Sequence, residues 1–126
     1  MTLVATPGLV AVLALAGCAA ADAPLAGYPG VRAQVTGYYD GRAMEMNAAC
    51  TDPRIDTITE ARVVGETAEQ VRMDVRYHWT DDSRQRELGN GGSVLLCGDF
   101  SSRTFTFARE GDALTLVGMT GEQKPL

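Results

Sequence analysis

The stretch that decides the fold is residues 69–80, which read EQVRMDVRYHWT. Apolar and polar side chains alternate along it without interruption, and successive side chains of a β-strand point to opposite faces of a sheet. The apolar positions are Val71, Met73, Val75, Tyr77 and Trp79, and the polar positions between them are Arg72, Asp74, Arg76 and His78. This period predicts a strand with one buried face and one face in water, as in antiparallel sheets.

Further strand patterns flank this stretch on both sides. Upstream, residues 57–66 (TITEARVVGE) are rich in β-branched residues and lead into a turn. Downstream, residues 81–92 (DDSRQRELGNGG) predict a long polar hairpin loop, and residues 113–120 (ALTLVGMT) predict a final strand. Residues 93–100 (SVLLCGDF) and 103–110 (RTFTFARE) predict either two strands or one long strand that bends at Gly98.

A helical period precedes the strands, in residues 28–50 (YPGVRAQVTGYYDGRAMEMNAAC). Side chains recur there at intervals of three and four, at Val31, Val35, Tyr38, Tyr39, Arg42, Met46 and Ala49. Pro29 suits a helix start, and the helix is expected to end before Pro53. Gly37 and Gly41 each weaken a helix by about 1 kcal/mol relative to Ala. They indicate either close approach of another backbone or simple tolerance.

One helix followed by four or five strands predicts an α+β domain. The sequence offers no second helix for parallel crossovers, so the sheet should be antiparallel. The helix must then bury its apolar stripe against one sheet face. We therefore predict one N-terminal helix packed on a curved antiparallel sheet. This order of elements resembles small NTF2-like and cystatin-like domains, a likeness that implies a fold and carries no function.

The first 21 residues contain no charged side chain, and Leu9 to Ala16 form a continuous apolar run. The run ends in Leu15-Ala16-Gly17-Cys18, which resembles the lipobox of bacterial lipoproteins. That resemblance implies cleavage before Cys18, lipid on its thiol and acylation of its new amino group. The alternatives are a plain secretory signal cut near residues 19–21 and an uncleaved anchor. The segment lacks the Lys or Arg that normally precedes such a run.

The lipobox divides the chain into three parts. Residues 1–17 are predicted to be the signal peptide, residues 18–27 a tether, and residues 28–126 one folded domain. The implied location is the cell envelope, with the lipid anchor on the periplasmic side of a membrane. Ala19 follows the lipidated position, and by the sorting rule of enteric bacteria it favours the outer membrane.

The two remaining cysteines, Cys50 and Cys97, are predicted to form a disulfide, because export delivers the chain to an oxidising compartment. A catalytic thiol is the alternative reading, and it would need an activating partner such as His78, the single histidine. A metal site is not expected, since Cys-X-X-Cys and paired histidines are absent from the sequence. No cofactor motif is present.

The charge of the chain argues against nucleic acid as a partner. Sixteen acidic and eleven basic residues give a net charge of −5. The basic residues are scattered, whereas phosphate binding needs clustered Lys and Arg.

Four residues are candidates for ligand binding: Tyr38, Tyr39, Asp74 and His78. Asp74 and His78 share the polar face of residues 69–80, where a carboxylate and an imidazole can act as a general acid–base pair. The alternative is a solvated face with compensating charges. Tyr38 and Tyr39 either line a cavity between helix and sheet or belong to the core and its rim.

Two functions from different classes remain open. The first is a non-enzymatic envelope lipoprotein whose domain binds a protein or another envelope component. The second is a small-molecule binder or enzyme with a pocket between helix and sheet. A helix–sheet interface filled with side chains favours the first, and an open pocket with convergent polar groups favours the second.

Overall fold

The computed structural model describes residues 24–25, 27–87, 93–95 and 97–125. Its elements are helix α1 (Val31–Arg42) and strands β1 (Arg54–Glu66), β2 (Gln70–Thr80), β3 (Gln85–Glu87), β4 (Ser93–Leu95), β5 (Gly98–Glu110) and β6 (Ala113–Met119). A one-turn 3₁₀ helix, Asp82–Arg84, precedes β3. The predicted signal peptide and the lipidation site at Cys18 lie outside the described residues.

Four antiparallel strands form one sheet in the order β1-β2-β5-β6, and α1 packs on one of its faces. The α+β prediction is confirmed at this level. Strands β3 and β4 form a separate two-stranded sheet within the segment predicted to be a polar loop and the start of the next strand. Residues 93–110 form two strands, but the division lies before Gly98 and not at residues 101–102, because β5 runs without a break from Gly98 to Glu110.

The alternation in residues 69–80 is present as predicted. All five apolar side chains of β2 are buried, and the polar ones between them are half-buried or exposed. Strand β2 lies between β1 and β5 in the sheet. We call the sheet face that packs against α1 the inner face, and the face that α1 does not cover the outer face.

The core joins one stripe of α1 to the inner face of the sheet. Its helical members are Val31, Val35 and Tyr39, and its strand members include Met73, Tyr77, Phe105 and Phe107. Burying a side chain of this size contributes about 1.5–3 kcal/mol, so this layer supplies most of the apolar stabilisation. Leu25 also lies in the core with 5% of its surface exposed, although it falls within the residues predicted to be tether.

The helix is shorter than its apolar period predicts. It ends at Arg42, and Ala43 is already extended and bridges to Gln123. Met46 and Ala49, which extend the helical period, lie instead in a turn closed by two hydrogen bonds between Glu45 and Cys50.

Side chains of α1 reach both edge strands. On β6, Gln34 Nε2 donates to Leu114 O (2.7 Å) and Gln34 Oε1 accepts from Leu116 N (2.7 Å). On β1, Ile55 N donates to Asp40 Oδ1 (3.3 Å). Gln34 thus occupies backbone groups that another strand would otherwise bind.

Cys50 and Cys97 form a disulfide with a Cα–Cα distance of 5.8 Å, as predicted. It connects the turn after α1 to the residue preceding β5. No helix within the described residues is long and apolar enough to cross a membrane.

Candidate functional site

The structure divides the four predicted ligand-binding residues between the two faces of the sheet. Asp74 and His78 lie on the outer face, half-buried. Tyr39, in the last turn of the helix, is fully buried between helix and sheet, and Tyr38 lies at the β6 edge, where its Oη is 3.4 Å from Val117 O. The four residues therefore do not line a common site.

The partner of His78 is Asp56, and Asp74 bonds elsewhere. His78 Nδ1 lies 2.9 Å from Asp56 Oδ1 and 3.0 Å from Oδ2. Because a carboxylate accepts hydrogen bonds, Nδ1 carries the proton of this contact. Asp74 accepts from the Thr104 hydroxyl at 2.6 Å and lies 3.9 Å from an Arg62 nitrogen.

A β-bulge brings Asp56 to His78. The register of β1 on β2 shifts between Ile55 and Thr57, so that Asp56 and Thr57 are both exposed on the strand, whereas Ile55 is buried. A bulge inserts one residue and redirects its side chain. Strict alternation in the sequence cannot show such a shift, which is why Asp56 was not predicted as the partner of His78.

Phe100 lies beside this pair as an exposed aromatic ring. Its centroid is 4.8 Å from the His78 ring in an edge-to-face arrangement, and the Arg76 guanidinium lies 5.8 Å away. Next to it, a shallow cleft of about 270 Å³ is lined by Glu60, Arg62, Asp74, Val75, Arg76 and Ser102. The cleft carries two acidic and two basic side chains, so its formal charges cancel.

A buried polar cluster of Tyr39, Glu45, Tyr77 and Arg103 lies under the end of the helix. Tyr39 Oη and Tyr77 Oη donate to Glu45 Oε2 at 2.6 and 2.7 Å, and Arg103 Nη2 is 3.4 Å from the same oxygen. Burial and the bond to Glu45 raise the pKa of Tyr77 to about 12. The same two causes raise the pKa of Tyr39 well above its ordinary value. These hydroxyls stay protonated and act as donors.

Arg103 connects this cluster to three backbone carbonyls on two segments of the chain. It donates to Met44 O at 2.6 Å, to Thr120 O at 3.1 Å and to Glu122 O at 2.9 Å. Gly121 leaves room for the guanidinium, because a Cβ there would lie 2.9 Å from it. Arg103 occupies an inward position in phase with Phe105 and Phe107, and an arginine in that apolar phase was the sequence signal for this cluster.

The buried cluster holds one side of a strained, exposed turn. Met46, Asn47 and Ala48 have φ values of 54°, 56° and 68°. Each such residue other than glycine costs on the order of 1–3 kcal/mol and persists only where its surroundings enforce it. Here Glu45 is held by the cluster before the turn, and Cys50 by the disulfide after it. Met46 is 53% exposed at the tip.

The side chains of the described residues contain no group of three or more His, Cys, Asp or Glu that could hold a metal ion. No protein-family model, no curated protein and no solved structure matched the chain.

Proposed function

We propose that the chain is an exported lipoprotein, anchored through Cys18 on the periplasmic side of an envelope membrane, more specifically the outer membrane. Its domain is a non-enzymatic binding module for a protein or another envelope component. The observation that carries the proposal is Cys18 at the end of an uncharged apolar segment, within Leu15-Ala16-Gly17-Cys18. Several acyl chains on one cysteine give stable membrane attachment, which a single chain does not.

The disulfide between Cys50 and Cys97 supports export, because such bonds persist in oxidising compartments and are rare in the cytosol. The bond closes a loop of 47 residues in sequence separation. A domain of this size has a modest core, and such domains gain much of their net stability from a cross-link.

The interface between helix and sheet supports binding at the surface over binding in an internal pocket. The facing side chains Val35, Tyr39 and Tyr77 have no exposed surface, and the two tyrosine rings pack edge to face at 5.0 Å. We further infer that the sheet curves around the helix, because α1 side chains bond to both edge strands.

The strained turn of Met46, Asn47 and Ala48 is the surface we assign to partner binding. Strained backbone concentrates at ligand clamps and recognition sites. The turn is anchored on both sides and presents an adaptable apolar side chain, which suits a shallow apolar pocket on a protein partner. Binding a rigid turn costs little ordering entropy.

Metabolic labelling with radioactive palmitate tests the lipid anchor. Labelled wild-type protein and an unlabelled Cys18→Ser variant are expected. The double variant Cys50→Ser/Cys97→Ser is the matched control for loss of cysteine, and it should still be labelled. Equal labelling of wild type and Cys18→Ser would contradict the proposed anchor.

Site-specific photo-crosslinking in intact cells tests the binding surface. A photoreactive residue at Met46 is expected to give a discrete adduct, and one at Val117 is not. The two side chains are matched controls because they are 53% and 54% exposed. Adducts of the same size and yield from both positions would show that the turn has no special role.

A further inference from the structure

The four-stranded sheet has two unlike ends. At one end, which we call the tether end, lie the β1–β2 turn and the β5–β6 turn. These turns are joined, because Arg109 N donates to Glu69 O at 2.9 Å and the Arg109 side chain pairs with Glu66. The opposite end, which we call the disulfide end, carries the Cys50–Cys97 bond and the strained turn. Strand β2 has 11 residues and separates the ends by about 34 Å.

The chain enters the domain at the tether end. Leu25 is buried in the core, and Tyr28 N donates to Leu25 O at 3.0 Å. Just beyond, a cleft of about 240 Å³ lies between the segment that leads into the helix and the β5–β6 turn. Its lining residues are Gly27, Tyr28, Pro29, Val31, Asp112, Ala113 and Leu114.

The length of chain before this end restricts how far it can lie from a membrane. Pro24 follows Cys18 by six positions. A fully extended chain of six residues spans at most about 22 Å, which is less than the length of the sheet. A lipid on Cys18 therefore keeps the tether end within reach of the headgroups.

The chemistry of the tether end fits phospholipid headgroups. Tyr28 is 37% exposed, and a tyrosine with an apolar ring and a polar tip is typical of membrane–water interfaces. The cleft adds the half-buried apolar side chain of Leu114. Asp112 supplies a carboxylate at the same cleft, which complements the ammonium group of a phosphatidylethanolamine headgroup and opposes an anionic one.

We propose that the tether end lies against the bilayer that holds the anchor, with Tyr28 and its cleft among phosphatidylethanolamine headgroups, and that the disulfide end points away from the membrane. This orientation rests on the proposed lipidation of Cys18. It places the strained turn where a partner in the periplasm can reach it.

Tryptophan quenching in vesicles tests the orientation. The mature lipidated protein, which begins at Cys18, is reconstituted into phosphatidylethanolamine–phosphatidylcholine vesicles whose acyl chains carry bromine next to the headgroup. Tyr28→Trp is compared with Phe100→Trp, which replaces an exposed ring near the disulfide end. Wild type supplies the baseline, because its single tryptophan, Trp79, is buried near that same end. About half of the added emission of Tyr28→Trp should be quenched, because a side chain among the headgroups lies close to the depth of the bromine atoms. The added emission of Phe100→Trp should not change.

The possible results distinguish failure of the lipid anchor from failure of the proposed orientation. Protein that carries no lipid by mass spectrometry and does not float with vesicles overturns both the anchor and the orientation. Lipidated protein with equal quenching at the two positions, or with none at Tyr28→Trp, overturns the orientation alone. Absence of quenching at Tyr28→Trp is also the result expected if residues 19–23 of the chain itself, and not lipid, fill the cleft.

Discussion

At the scale of single residues, the stability of this domain depends on polar groups placed inside it. Glu45 and Arg103 are both nearly buried, and each bonds to several partners at once. Among the described residues, no buried side-chain nitrogen or oxygen lacks a hydrogen-bond partner. Such a cluster stabilises the fold only while every member is present, because a lone buried charge is costly.

The first prediction concerns Glu45. Glu45→Gln keeps the shape of the side chain but leaves the Arg103 charge without its buried counterion, and it should lower the free energy of unfolding by about 3 kcal/mol. Urea denaturation followed by circular dichroism measures the change. Glu60→Gln, on the outer face, is the control and should stay within about 0.5 kcal/mol of wild type. A loss from Glu45→Gln no larger than that of the control would refute a structural role for the cluster.

The second prediction concerns Asp40. Burial raises the pKa of Asp40 above its ordinary value, against a smaller opposing effect of its bond from Ile55 N. The folded state then binds the proton more tightly than the unfolded state. The contribution of Asp40 to stability is full below the unfolded-state pKa and is lost as the pH rises through the folded-state pKa.

Asp40→Asn tests this dependence, because asparagine keeps an acceptor for Ile55 N and carries no charge. As the pH rises from about 3 to about 7, the free energy of unfolding of the wild type should fall relative to that of the variant. Free energies of unfolding measured for both proteins across that range give the difference. Parallel curves would show that the proton on Asp40 is not linked to folding.

At the scale of elements, the two edges of the sheet are protected in different ways. Strand β1 has three register shifts, between Ile55 and Thr57, Ile58 and Glu60, and Val63 and Gly65. Bulges of this kind distort an edge and hinder pairing with another chain. Strand β6 is instead covered by the side-chain amide of Gln34 from the helix.

The third prediction follows from this contact. Gln34→Ala removes two hydrogen bonds to the β6 backbone and should cost about 2 kcal/mol of stability. It also exposes an unpaired strand edge, so the variant should self-associate at concentrations where wild type is monomeric. Thermal unfolding and analytical ultracentrifugation measure the two effects.

Gly37→Ala is the matched control on the same helix. No atom lies within 4 Å of the Cβ it would add, so it should stabilise the helix by about 1 kcal/mol and leave association unchanged. No atom lies within 4 Å of a Cβ added at Gly41 either. The open space at both glycines favours simple tolerance over close approach of another backbone. Unchanged association of Gln34→Ala would mean that the β6 edge needs no cover.

The elements that the sequence predicted well are those whose pattern is local. The period of two in β2 follows directly from alternating burial, and its five apolar positions are all buried. The helix was predicted too long because Met46 and Ala49 keep the helical period. Glu45, between them and the helix, bonds instead to Tyr77 and Arg103, which lie 32 and 58 positions away in the sequence. The Asp56–His78 pair was missed for a related reason, since a bulge decides it.

At the scale of the whole molecule, the disulfide and the buried cluster fix the same region from two sides. The turn of Met46, Asn47 and Ala48 is bounded by Glu45 in the cluster and Cys50 in the disulfide. The cost of its left-handed backbone must be met by these anchors. Loss of one anchor should therefore affect the turn before it affects the sheet.

The fourth prediction tests this with Cys50→Ala/Cys97→Ala. Removing the cross-link should lower the free energy of unfolding by about 4 kcal/mol, the chain-entropy value for a loop of this length. In two-dimensional NMR spectra the amides of the turn should shift or broaden, and those of β2 and β5 should keep their positions. We expect the change to stay local because β2 and β5 pair along eleven residues, and none of these pairs involves a residue of the turn. Wild type treated with a thiol reductant is the control for the substitutions and should give the same two changes. Spectra that lose β2 and the turn together would mean that the disulfide supports the whole sheet, and that the turn is not a separately anchored unit.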